Sequence, residues 1–181
     1  MVPPEAYLRT YVTLFGAVAP LDVQQRARGD GTFDAWSDYF TALGFPDYRL
    51  DMPRGTQTHA MMLAALERLG IALCDRAVLH DLGGKTAALS DRVVFSFDAP
   101  KGTIDVAAFT PGFDILHRRF LGYPAALAET PRTQRFFDVY AEIVRRHVAS
   151  AKTVKSRFTP EQAGWAAVCY GLIRHPEFQL Y

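Results

Sequence analysis

Residues 159–178 read Thr-Pro-Glu-Gln-Ala-Gly-Trp-Ala-Ala-Val-Cys-Tyr-Gly-Leu-Ile-Arg-His-Pro-Glu-Phe, and they decide the fold class. Thr159 supplies the side-chain oxygen that a free backbone N–H at a helix start requires. Pro160 follows where its missing N–H costs nothing. Gln162 falls three residues after Thr159 and completes a capping box. Trp165, Val168, Cys169 and Leu172 then recur at helical spacing, and His175-Pro176 ends the run. Thr110-Pro111 and Thr130-Pro131 announce two more helices in the same way. Phe113, Leu116 and Phe120 form the stripe of the first, which stops at Gly122. Phe137, Tyr140, Val144 and Val148 form the stripe of the second.

The same pattern extends toward the N-terminus. Tyr7, Leu8, Tyr11, Leu14 and Phe15 make one face of a helix from Pro4 to Phe15, with Gly16 as its stop. Short helices are expected from Leu21 to Arg28 and from Thr32 to Leu43. The second of these places Phe33, Trp36, Phe40 and Leu43 on one side. A loop runs from Phe45 to Arg54. The longest helix is expected from Thr56 to His80. Its broad stripe of Met62, Leu63, Leu66, Leu69, Leu73, Cys74 and Ala77 suits the central helix of a bundle. Asp81 to Ser90 reads as loop around Gly83-Gly84. Val93, Phe95 and Phe97 alternate over 92–97 and make the one strand candidate. A lone strand cannot satisfy its backbone, so it must pair elsewhere or be extended loop. The expectation is an all-α bundle of about seven helices with one short extended or β element, in a single domain covering 1–181.

Composition narrows the function classes. Of 181 residues 49% are hydrophobic and 22% charged, so a core can be buried and a disordered chain is excluded. The formal charge is +1, which gives no global argument for nucleic acid or an anionic membrane. No apolar stretch approaches the roughly 20 residues of a membrane span. Met1, Pro3, Pro4 and Glu5 carry no signal-peptide pattern, which fits a cytosolic protein or an excised piece of a longer one. Arg145, Arg146, Lys152, Lys155 and Arg157 form the one basic run, with no acid between Glu142 and Glu161. It reads as a solvated helix end, because no nucleic-acid motif or interleaved aromatic accompanies it. A protein partner is favoured over nucleic acid.

The chain has five histidines, His59, His80, His117, His147 and His175, and none lies in an HExxH or zinc-type spacing. His80-Asp81 closes the longest helix, where a positive charge suits the dipole. The alternative is a metal or acid/base site built from His80, Asp81 and His117, with His59 or His147 added. His117 sits one position round from Leu116 and borders the core face. No residue is assigned a catalytic or cofactor-binding role, and no cofactor is specified. Gly83-Gly84-Lys85-Thr86 is not a phosphate loop, because Leu79 stands where the leading glycine belongs and a helix precedes it. Cys74 and Cys169, the only cysteines, both fall on apolar helix faces. They read either as two buried thiols or as one bridge between distant helices.

Residues 158–178, with their Thr159-Pro160-Glu161 start, Ala-rich helix and Pro176-Glu177-Phe178 ending, resemble the closing helix of helical modules in bacterial envelope proteins. Those proteins belong to a multidomain group that often carries cytochrome c domains. His175 stands where such modules have Ser, and the likeness covers about twenty residues with no cytochrome part. The resemblance implies a periplasmic or surface setting, which favours a Cys74–Cys169 bridge, and it implies no activity. The functional expectation is a non-catalytic interaction or structural module of a cell-envelope assembly. The alternative is a small helical protein or enzyme with histidine-held metal or cofactor.

Overall fold

The computed structural model describes residues 4–18, 60–83, 88–102, 104–151 and 155–180. The described chain is mostly helical and contains no strand or sheet, so the fold is all-α. Its helices are α1 (Pro4–Phe15), α2 (Ala60–Asp81), α3 (Val106–Leu121), α4 (Arg132–Ser150), α5 (Pro160–Ile173) and α6 (Pro176–Leu180). Single 3-10 turns cover Gly16–Val18, Leu89–Asp91 and Ala125–Leu127. The helices expected from Leu21 to Arg28 and Thr32 to Leu43, and the loop from Phe45 to Arg54, lie outside the described residues.

The chain divides into two compact units, Met1–Leu73 and Cys74–Tyr181, and the boundary falls inside α2. In the first unit, Tyr11, Phe15, Val18, Met62, Ala65, Leu66, Leu69 and Leu73 are buried. They are the stripes that the helical spacing of α1 and α2 predicts. The Tyr11 hydroxyl donates to the Leu66 carbonyl at 3.5 Å, which joins the two helices.

The second unit is built around α5. Gly164, Trp165, Ala166, Val168, Cys169, Leu172 and Ile173 are all buried, and Ala163, Ala167 and Tyr170 on the remaining face are half-buried. Its start follows the sequence reading. The Thr159 hydroxyl accepts from the Gln162 N–H at 3.3 Å, and the Gln162 side chain accepts from the Thr159 N–H at 2.8 Å. Helix α4 lies close against α5 because α5 presents glycines there. A Cβ on Gly164 would stand 2.6 Å from Tyr140 Cδ2, and one on Gly171 would stand 2.9 Å from Phe136 Cε1. Helix α3 buries Phe109, Gly112, Phe113, Leu116, His117 and Phe120, one continuous stripe. Phe109 stacks on Trp165 with ring centroids 5.0 Å apart, and Tyr140 tilts against both rings.

Two helix starts differ from the Thr-Pro reading. Helix α3 begins at Val106, with Asp105 as its cap accepting from the Ala108 N–H at 2.8 Å. Pro111 therefore lies inside the helix. The carbonyl of Ala107 that its missing N–H leaves unbonded belongs to an exposed turn, so water can satisfy it. Thr110 turns its hydroxyl back to the Val106 carbonyl at 2.6 Å. In α4, Pro131 takes the cap position itself, and no side chain caps the helix. Helix α3 ends as expected on Gly122, whose φ of 81° is open to glycine and whose N–H bonds the Arg118 carbonyl.

Candidate functional site

Three polar constructions are buried among the helices of the second unit. The first lies at the end of α2. The Asp81 side chain is fully buried. Its Oδ2 accepts the N–H groups of Val94 at 2.7 Å and Phe95 at 2.8 Å. Its Oδ1 accepts the N–H of Val93 at 3.0 Å and Nδ1–H of His80 at 2.7 Å. A carboxylate at a helix C-terminus opposes the dipole, and three backbone donors offset that cost. Of the two readings of 92–97, the structure has the extended loop: its amides need no second strand because one carboxylate takes three of them. Arg92 completes the segment by donating to the Phe97 carbonyl and, at 2.9 Å, to Asp98.

The second construction is covalent. Cys74 and Cys169 are joined, S–S 2.01 Å, with Cα atoms 5.8 Å apart and a sequence separation of 95. The bridge ties α2 to α5 and is buried at both ends. Two further contacts hold the same helices. The Gln162 side chain donates to the Leu82 carbonyl at 2.6 Å, and Arg157 pairs with Asp75 at 2.6 Å. Burial raises the Asp75 pKa, and Arg157 works against that rise.

The third construction joins α3, α4 and α6. His117 is fully buried on α3. Its Nδ1–H donates to the Tyr123 carbonyl at 2.7 Å, which leaves Nε2 to accept from Arg132 Nη1 at 3.2 Å. Arg132, the first residue of α4, is 6% exposed and carries its charge into this cluster. Its Nη2 donates to Glu177 Oε1 at 2.7 Å, and its Nη1 reaches Tyr123 Oη at 2.7 Å and Glu177 Oε2 at 3.3 Å. Tyr123 Oη donates to Glu177 Oε2. The Arg132 and Tyr123 hydrogen bonds hold the Glu177 carboxyl down at about 2. Burial pushes His117 below its ordinary value, and Arg132 adds to that against the Tyr123 carbonyl.

The sequence-predicted metal set is thus distributed over two constructions. Both ring nitrogens of His117 are engaged, and Asp81 accepts four hydrogen bonds inside the protein. Among the described residues no group of three or more His, Cys, Asp or Glu side chains is arranged to hold a metal ion. His147 donates to the Phe158 carbonyl at 3.0 Å, and His59 lies outside the described residues. Within the basic run Arg145 and Arg146 bond Glu142, while Arg157 bonds Asp75 and covers the Phe158 ring. The Tyr140 hydroxyl and the Trp165 indole N–H are buried without a hydrogen-bond partner. Burial, with Glu161 nearby, pushes Tyr140 up to about 12, so its phenol stays neutral.

Sequence reasoning missed Arg132, Tyr123 and Glu177 entirely. Their only signal was a charged residue directly after Pro131 and an acid in the Pro176-Glu177-Phe178 ending, both of which look like ordinary helix starts. No described helix is long and apolar enough to cross a membrane. No family model, curated protein or solved structure matches the chain.

Proposed function

We propose that this chain is a non-catalytic structural or interaction module of an extracytoplasmic assembly, of the kind found in bacterial cell envelopes. The carrying observation is the buried Cys74–Cys169 bridge between α2 and α5. Structural disulfides persist in oxidising compartments and are rare in reducing ones. The buried polar groups support the same reading. Asp81, His117, Arg132 and Glu177 spend their hydrogen bonds on holding helices and loops together, which is what a scaffold requires. A protein partner is favoured over nucleic acid, since Arg145, Arg146 and Arg157 of the basic run are ion-paired with Glu142 and Asp75.

The test is made on protein purified from its native cells without reductant. Alkylation under denaturing conditions is expected to find no thiol before reduction and two after it. Elemental analysis of the same material is expected to find no stoichiometric metal. Two free thiols in the unreduced protein would overturn the extracytoplasmic reading. Stoichiometric zinc, iron or copper would overturn the non-catalytic scaffold and restore a histidine-held metal.

A further inference from the structure

The third construction holds a titratable group against a permanent cation, and it does so at the point where the C-terminal helix is fastened. Helix α6 has five residues, too few to be stable alone, and depends on what it docks against. Its anchors are Phe178, buried against Phe120 with centroids 6.0 Å apart, and Glu177 on Arg132 and Tyr123. The hydrogen bond to the Tyr123 carbonyl fixes one proton of His117 on Nδ1. Its Nε2 lone pair therefore faces Arg132 Nη1 at 3.2 Å. A second proton can go only to Nε2. There it sets an N–H donor against an N–H donor, and a cation against a cation, between two side chains that are both buried.

The surroundings do not remove that conflict. Asp114 on the His117 helix is already paired with Arg118 at 2.6 Å and caps the Ala125 N–H at 2.7 Å. Glu177, from α6, is the one carboxylate on Arg132 among the described residues and is committed to it. His175, in the link from α5 to α6, lies in the same field and accepts from the Glu177 N–H at 3.3 Å. Its own protonation adds positive charge near Arg132, with Glu129 as the further acid acting on it. Helix α5 packs on α3 through Trp165 and Phe109, two turns before His117, and brings no charge there. Tyr123 contributes a neutral phenol, since burial and its bond to Glu177 both raise its pKa.

We propose that His117, Arg132, Tyr123 and Glu177 form an acid-sensitive latch that fastens α6 to α3 and α4 and opens when His117 takes up a second proton. The inference stands apart from the scaffold reading, since a latch of this kind works in any compartment. The sign follows from linkage. A buried histidine whose folded-state pKa is depressed stabilises the closed form above its ordinary value near 6.5 and loses that contribution as pH falls below it. Burial depresses His175 as well, so both histidines act in one direction and must be told apart.

The experiment measures amide hydrogen exchange of residues 177–180 at about pH 7.5 and about pH 5, corrected for intrinsic rates, alongside NMR titration of the imidazoles. Opening of α6 is expected to grow at least about tenfold at the lower pH, with a midpoint that matches the His117 titration. His117→Gln keeps a donor for the Tyr123 carbonyl and an acceptor for Arg132 but takes no proton. It is expected to abolish the pH dependence, whereas His175→Gln retains it. Equal opening at both pH values, a midpoint that follows His175, or an unchanged pH response in His117→Gln would overturn the latch. If His117→Gln does not fold, the wild-type match between the His117 titration and the exchange midpoint decides alone.

Discussion

Asp81 shows how much one buried side chain can organise. Its carboxylate holds His80 and three successive amides of the 93–95 segment, and nothing else in the described structure pairs with those amides. Asp81→Ala is expected to cost about 3–5 kcal/mol in urea denaturation, because it strands two buried donors and one half-buried one. Substitution of exposed Asp98 on the same segment is expected to stay within about 0.5 kcal/mol. Glu177, buried His117 and half-buried His175 set the acid limb of stability. Glu177 falls from 4.5 to about 2 in the folded state, so its contribution is whole above pH 4.5 and disappears as pH drops toward 2. His117 and His175 are depressed from 6.5, so their loss begins earlier, below pH 6.5. Denaturation midpoints followed against pH are expected to fall in two steps, and Glu177→Gln is expected to flatten the second. A single step below pH 4.5 would contradict the histidine placement.

At the scale of elements, the α4–α5 contact rests on absent side chains. Replacing either glycine by alanine gains about 1 kcal/mol of helix propensity. At Gly164 the new methyl meets Tyr140 Cδ2 at 2.6 Å, Tyr140 Cε2 at 2.7 Å and Val144 Cγ2 at 2.9 Å. The Tyr140 ring cannot retreat, since Phe109 and Trp165 hold it from other sides. Overpacking of this kind costs about 1–3 kcal/mol, so Gly164→Ala is expected to be destabilising overall. At Gly171 only Phe136 Cε1 comes within 2.9 Å and its neighbours stand at 3.7 Å, so a small ring rotation clears it. Gly171→Ala is expected to be neutral or stabilising, and thermal melts of the two variants check the order. The legibility of the helix starts follows the same logic. Thr159 was readable because its cap needs only residues three positions away. Thr110 misled because Asp105, five residues upstream, caps a longer helix whose apolar stripe begins at Phe109.

For the molecule as a whole, the bridge dominates. Closing a loop of 95 residues removes roughly 4–5 kcal/mol of unfolded-chain entropy at room temperature. That is a large share of the roughly 5–15 kcal/mol by which a folded domain is typically stable. The Cys74→Ala, Cys169→Ala double variant is expected to lower the melting temperature by roughly 10 °C or more. Because the bridge holds α2 to α5, the Gln162–Leu82 and Arg157–Asp75 contacts weaken when it is removed. Hydrogen exchange across Cys74–Asp81 is then expected to rise more than across α4. Equal melting temperatures for oxidised and reduced protein would show that the cysteines carry no such load.

The sequence alone determined the stripes of α1 to α5, since an apolar stripe at helical spacing is a local property of the chain. Stripe positions such as Tyr11, Leu69, Phe113 and Leu172 are buried as that spacing requires. Only the tertiary structure decided which polar residues meet. Asp81 finds amides 12 to 14 residues away, Arg132 finds Glu177 after 45, and Cys74 finds Cys169 after 95. No local pattern marks such pairs, because a side chain's partner depends on how helices are brought together by burial of their apolar faces. The segment at Val93–Phe97 carries both lessons. Its alternation was real, but what its backbone bonds to was set by a carboxylate on another element.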